Sequence, residues 1–236
     1  MEDALYLDDS YLKEFEATVL SVKDGKYVVL DKTVFYPSSG GQPHDTGKLI
    51  RDGEEFNVVF VGKFSGKISH EIDKEGLKEG DKVKGVIDWD RRYKHMRSHT
   101  SAHIVSTVIH KETGALITGN QLAEDRVRVD FNLDNFDREA FQRYMAMANE
   151  VISRNLDVKH YTLDREEAMK IPDIFKLAKT FPEEIKRIRI VEIGDFDKQA
   201  DGGTHVKNTK EIGKLELIKL ENKGANNRRM YYRLVI

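Results

Sequence analysis

The run Arg91-Arg92-Tyr93-Lys94-His95-Met96-Arg97-Ser98-His99-Thr100-Ser101-Ala102-His103-Ile104-Val105-Ser106-Thr107-Val108-Ile109-His110-Lys111 contains no glycine or proline and is the first long helical candidate in the chain. Asp88 or Asp90 can cap its start, and Gly114 stands beyond its end. Met96, Ala102, Val105, Val108 and Ile109 recur at helical spacing, so one side faces a core. His95, His99, His103 and His110 fall near one face. Residues four apart on a helix differ by about 40° in azimuth and about 6 Å along the axis, so His99 and His103 can each turn one nitrogen toward a shared ion. His95 with His99 has the same spacing, and spacing alone does not choose between the pairs. Small neighbours, Thr100, Ser101 and Ala102, leave room for a substrate beside the second pair, whereas Lys94 and Arg97 beside the first read as solvated. Histidines at this spacing also occur as ordinary surface or core residues.

Upstream, from Glu14 to Ile87, the apolar pattern is short and strand-like, broken at Lys23–Lys26, Gly62–Gly66 and Lys78–Asp81. Strands are predicted at Ala17–Leu20, Tyr27–Leu30, Phe56–Val61 and Lys82–Ile87, with a hairpin turn at Asp24-Gly25. The fold class expected is α+β: a small N-terminal β-barrel, residues 1–88, followed by an α/β domain, residues 89–236. Within the first part, Phe35-Tyr36-Pro37-Ser38-Ser39-Gly40-Gly41-Gln42-Pro43-His44-Asp45-Thr46-Gly47 reads from composition as a long surface turn. Its glycines permit close backbone approach, and Gln42 offers both donors and an acceptor.

Downstream, Ala115–Leu122 turns into a strand at Arg126–Phe131. A second helix is predicted from about Asp137 to Arg154, its core stripe carried by Phe141, Tyr144, Met145, Ala148 and Ile152. A third is predicted over Thr162–Ala178, with Asp164 and Glu167 spaced for a capping box and Pro172 marking a break. A buried strand, Ile185–Ile193, then delivers the chain to Asp201-Gly202-Gly203-Thr204-His205. The last part reads as a hairpin of Lys214–Leu220 and Arg229–Val235 around Asn222–Asn227.

His205, beside two glycines, is the best-placed third histidine for an ion held by His99 and His103. There is no cysteine, so thiolate ligands, disulfides and cysteine nucleophiles are excluded and a transition metal must use nitrogen and oxygen. Three histidines with one further position match catalytic zinc. Asp201 can serve there as a ligand, as the base for a metal-bound water, or as a cap of its own loop. No Glu follows the first histidine as in the HExxH metalloproteases, which disfavours peptide hydrolysis.

A net charge of −2 excludes a globally basic nucleic-acid binder and leaves a local basic face open. From Gly203 onward eight Lys or Arg face three Glu. With Arg91, Arg92, Lys94 and Arg97, this tail can track a phosphate backbone, or it can be a solvated face. The acidic start lacks an apolar signal core, and no window reaches membrane-span length, so a cytoplasmic protein without membrane association is expected.

Three motifs in order, Phe35–Gln42, Arg97–His103 and Gly202–Val206 followed by Asn208–Gly213, resemble the free-standing alanyl-tRNA editing proteins. This is the AlaX family, similar to the editing region of alanyl-tRNA synthetase. The resemblance implies a medium-length member with a barrel and an editing domain holding one Zn2+ ion. It also implies hydrolysis of mischarged alanine tRNA, mainly carrying serine and in some members glycine. It transfers His99, His103 and His205 as ligands. The family usually has cysteine where this chain has Asp201, which leaves the fourth position open. By family position, Thr118, Asn120 and Gln121 are candidates for the substrate pocket, with Gly40, Gly41 and Gln42 approaching from the barrel. Lys207, Lys210, Arg228 and Arg229 are candidates for tRNA contact. The rival readings are editing of a threonyl-type substrate, a non-catalytic zinc-containing RNA-binding module, and a zinc hydrolase of small esters.

Overall fold

A computed structural model describes residues 3–134, 137–176 and 185–235. Its contacts divide the chain into two compact units, 1–96 and 97–236. The first contains β1 (Asp3–Ala4), β2 (Glu14–Lys23), β3 (Tyr27–Leu30), β4 (Lys32–Thr33), β5 (Gly47–Arg51), β6 (Glu54–Phe64), β7 (Lys67–Ile72) and β8 (Lys82–Ile87). Six strands close into a barrel in the order β2-β3-β7-β6-β5-β8, which removes exposed sheet edges. Alternation fills its interior, with Phe15, Val28, Leu49, Phe56 and Ile72 buried. Asp24 and Gly25 take positive φ (51° and 69°) in the turn between β2 and β3.

Two barrel strands escape the sequence pattern. β5 buries only Leu49. β7 places His70 in the core, where Nδ1 meets the Val28 carbonyl at 3.0 Å and Nε2 meets Thr33 Oγ1 at 2.9 Å. A polar residue on the inward face masks the period of two.

The Phe35–Gly47 stretch is more than a surface turn. Ser39 and Gln42 exchange backbone hydrogen bonds (3.1 and 2.9 Å) across Gly40 and Gly41, both at positive φ, and Gln42 is buried. Asp45 accepts from the Tyr36 N–H (2.6 Å) and from Arg92 Nε (3.0 Å); the Arg92 guanidinium also donates to the carbonyls of Ser10 and Val34. Arg92 and Asp45 are fully buried. Their charges are tolerated because the guanidinium and carboxylate are used throughout. Arg92 therefore belongs to the interior and not to a phosphate-tracking surface.

α1 (Trp89–Thr113) begins in the first unit and ends in the second. Asp88 is its cap, accepting from the Arg91 N–H at 3.1 Å, and Gly114 closes it at φ +72°. Arg97, expected to be solvated, is buried and donates to the Ile212 carbonyl at 2.6 Å.

The second unit continues with β9 (Ile117–Leu122), β10 (Val127–Phe131), α2 (Arg138–Ser153), β11 (Val158–Asp164), α3 (Arg165–Ala168), β12 (Arg187–Ile193), β13 (Asp197–Ala200), β14 (Lys214–Asn222) and β15 (Arg228–Val235). A four-stranded antiparallel sheet runs β14-β15-β10-β9, and a three-stranded sheet runs β11-β12-β13. α2 is capped by Asp137, which accepts from the Glu139 and Ala140 N–H groups. Its stripe is buried apart from half-exposed Tyr144.

The helix expected over Thr162–Ala178 is a correction. Thr162–Asp164 pair with Arg189–Arg187 as the end of β11, and among the described residues of this stretch only the single turn of α3 is helical. Sheet pairing on β12 outweighs the local helical signal. Asp164 stands at the N-cap without a side-chain cap bond, and Leu177 and Ala178 lie outside the described residues. The stretch Ala115–Leu122, to which the sequence pattern assigns no element of its own, contains β9, paired with β10. Among the described residues, no helix is long and apolar enough to cross a membrane.

Candidate metal centre

α1 presents His99 and His103 one turn apart, and the loop after β13 brings Asp201 and His205 to them. One ligand atom from each of the four lies within 4.8 Å of the others. The three imidazoles form a triangle with ring centroids 5.2, 4.4 and 4.7 Å apart. Their Nε2 atoms face the Asp201 carboxylate: His205 at 2.9 Å, His99 at 3.4 Å and His103 at 3.9 Å. The histidines are buried, and the Asp201 side chain is 19 % exposed, so the carboxylate side is the one open to solvent. Of the two pairs with four-residue spacing, His99 with His103 belongs to this group.

Local chemistry shapes the loop. Asp201 Oδ2 accepts from the Gly203 N–H at 2.6 Å, an Asx turn. Arg189 of β12 donates to the carbonyls of Asp201 and Gly203, both at 3.1 Å, and its own carbonyl accepts from the Asp201 N–H. Gly203 is required by space: a Cβ there would lie 2.2 Å from His99 Cε1, whereas Gly202 faces open space. His205 Nδ1 meets Thr100 Oγ1 at 3.1 Å, and that hydroxyl accepts from the Val206 N–H at 3.2 Å. With Nδ1 engaged there, Nε2 is turned to the centre.

Electrostatics follow from crowding three imidazoles and a carboxylate. Burial opposes ionisation of Asp201, but electrostatic interaction with His99 and close contacts with His103 and His205 hold its carboxyl well below the usual range. Burial and then the charge on His99 push His205 well below the ordinary imidazole value. Burial would lower His103 as well, yet interaction with Asp197 and Asp201 pushes it up to about 9. A donor set of three nitrogens and one carboxylate oxygen, with one side open, suits a zinc-type ion in tetrahedral coordination.

The other candidate residues are distributed as follows. Gly40, Gly41 and Gln42 lie in the first unit. On β9, Thr118 is the extra residue of a bulge, since Asp130 faces Gly119 and Phe131 faces Ile117. Asn120 is half-buried and shares the face of Val129, Met230 and Tyr232. That face meets α1, where Ser101 Oγ is 2.9 Å from Tyr232 Oη. Gln121 lies on the opposite face, across from Arg128. Arg228 is buried and donates to Asn222, Gly224 and Asp134, and Arg229 forms a two-bond pair with Asp130 at 2.7 and 2.8 Å. Lys207 and Lys210 are exposed beside a short 3₁₀ turn, Thr209–Ile212, whose capping box joins Asn208 and Glu211. Sequence reading missed Thr100, Arg189 and Asp197. Only Thr100, next to His99, carried a local signal, because the other two come to the centre through the pairing of β12 with β13.

A barrel unit is followed by a helix-and-sheet unit whose three-histidine, one-carboxylate centre could hold a metal ion, which defines a candidate metal-binding protein. Residues 7–91 match the family described as tRNA synthetases class II (A), and residues 188–231 match the threonyl and alanyl tRNA synthetase second additional domain. The chain is 59% identical, over all of both chains, to the alanyl-tRNA editing protein AlaX-M of Methanosarcina barkeri. It is 48% identical to that of Saccharolobus solfataricus over 98% of each. The alanine–tRNA ligase of Pyrococcus abyssi is 38% identical over 92% of this chain and 24% of the ligase. The chain belongs to the alanyl-tRNA editing protein AlaX-M family.

Proposed function

We propose that this protein is a trans-editing deacylase, which hydrolyses the ester joining a wrong amino acid, serine or glycine, to alanine tRNA. The observation that supports this most directly is the His99–His103–His205–Asp201 centre in a chain similar over its whole length to editing proteins. Water adds to the ester carbonyl carbon and the bond to the ribose oxygen breaks. The proton passes to that oxygen, leaving free amino acid and tRNA. Zinc, when bound, supplies Lewis-acid polarisation or a water of lowered pKa. The three histidines would hold it, and Asp201 would be the fourth ligand or the base for the attacking water. Its partly exposed carboxylate beside three buried imidazoles favours a role at the water side.

Asn120, on the α1 face of its sheet, is our candidate for pairing the serine hydroxyl. Thr118 and Gln121 would act at the rim. A pocket that must pair a hydroxyl disfavours alanine, whose binding leaves those groups unpaired. Lys207 and Lys210 are the exposed candidates for tRNA phosphates. Arg228 and Arg229 are engaged in the sheet and would shape that surface from within. The reaction would take place in the cytoplasm.

The test is the release of serine and of alanine from charged alanine tRNA, before and after zinc is stripped and restored. Metal-dependent release of serine alone is expected. No release of either would leave a tRNA-binding module with a structural centre, and equal release without tRNA dependence would indicate a small-ester hydrolase.

A further inference from the structure

Behind the centre lies a second carboxylate that none of this chemistry uses. Asp197, on β13, is 1 % exposed. Its Oδ2 is 3.7 Å from His103 Nδ1, the ring nitrogen on the opposite edge from the one facing Asp201. That nitrogen is buried and makes no hydrogen bond. Asp197 is itself firmly held. Oδ1 accepts from Lys176 Nζ at 2.6 Å, and Oδ2 accepts from Gln199 Nε2 at 2.7 Å. Gln199 also reaches Thr107 Oγ1 on α1 at 3.2 Å. The Lys176 side chain is 6 % exposed.

Burying such a pair carries a desolvation cost that mutual attraction returns only in part, so the pair is weakly justified as a source of stability. A carboxylate fixed behind a histidine has another use. It favours the proton on the near nitrogen, leaves the lone pair on the far one, and fixes the ring's rotation. At 3.7 Å the contact is longer than a hydrogen bond, so the influence is that of an oriented charge.

We propose that Asp197, oriented by Lys176 and Gln199, is a positioning residue for His103 that sets the metal affinity of the centre. This rests on reading the His99–His103–His205–Asp201 group as a metal centre. The same unit reaches the strand assigned above to substrate discrimination, because the Lys176 carbonyl accepts from the Ile117 N–H at 2.8 Å at the start of β9.

The experiment measures zinc affinity by competition with a chromophoric chelator, for the intact protein and for Asp197→Asn, which keeps the side chain's shape. Loss of an outer partner of a ligating histidine weakens metal binding by about 10- to 100-fold. That loss is expected here, with deacylation restored at saturating zinc and the metal-free melting temperature recorded alongside. Gln199→Leu, which frees one carboxylate oxygen, should shift affinity in the same direction by less, and it stands in if Asp197→Asn does not fold. A lowered metal-free melting temperature with unchanged zinc affinity in both variants would overturn the proposal, making the pair structural. If the unaltered protein failed to bind zinc, and His103→Ala matched it, the metal-centre reading itself would fall.

Discussion

Replacing Gly203 with alanine adds one methyl group and strikes the centre at its tightest point. The new Cβ would lie 2.2 Å from His99 Cε1 and 2.3 Å from Nδ1, where ordinary contact begins at 3.4 Å. The ring must withdraw by about 1 Å, whereas metal–ligand distances hold within about 0.2 Å. His99 cannot then keep its place with His103 and His205. The loop gives little in compensation, because its carbonyls at 201 and 203 are both strapped to Arg189. Zinc affinity should fall on the order of 100-fold, at the upper end of what losing an outer partner costs, because a ligand itself is displaced. Overpacking should lower stability by about 1–3 kcal/mol. Gly202→Ala is the control: its Cβ meets nothing within 4 Å, and it should leave both quantities near their starting values. Chelator competition, thermal melts and serine release would be measured on both variants. A Gly203→Ala protein with unaltered metal affinity and editing would refute the claim that His99 is held in place by the absence of a side chain at 203.

Three further predictions concern other parts of the molecule. Burial pushes the His70 imidazole down to about 4, only partly offset by its bond to the Val28 carbonyl, against 6.5 in the unfolded chain. As pH falls from 6.5 to 4 the unfolded state takes up the proton first, so stability should decline by up to about 3 kcal/mol over that window. In denaturant titrations His70→Gln should flatten that part of the profile, and an unchanged slope would contradict it. Replacing Lys207 and Lys210 together with alanine should reduce the salt dependence of tRNA binding by about one unit of slope for each phosphate that is no longer neutralised. Arg228→Ala should instead lower the melting temperature, because its guanidinium is consumed by Asn222, Gly224 and Asp134. The reverse assignment of effects would move the RNA footprint onto β15.

Local features were legible wherever a short-range rule decides them. Asp88, Gly114 and Asp137 mark helix ends because caps act within a turn, and Asp24-Gly25 marks a hairpin because few other residues accept its dihedral angles. That His99 and His103 can share a face was equally local, since four residues on a helix place two side chains together before any tertiary contact forms. The same spacing joins His95 to His99, and the tertiary structure made the choice. β7 was hidden by His70 on its inward face, and the Thr162–Ala178 segment was misread because its pairing partner, β12, lies some twenty residues further on.

What the sequence by itself determined is therefore the α+β class, the presence of a long histidine-bearing helix, and the absence of sulfur from any metal site. Tertiary structure decided which residues complete the centre and what stands behind it. Asp201 meets His99 only because β12 and β13 pair, and Asp197 reaches the far edge of His103 only because β13 returns along β12. Arg92 and Arg97 became interior residues because buried carbonyls and a carboxylate awaited their donors. The physical reason is common to these cases. Propensity, capping and helical spacing act over a few residues, whereas burial and electrostatic partnership are set by chain segments roughly a hundred residues apart, whose contacts exist only once the sheets have formed.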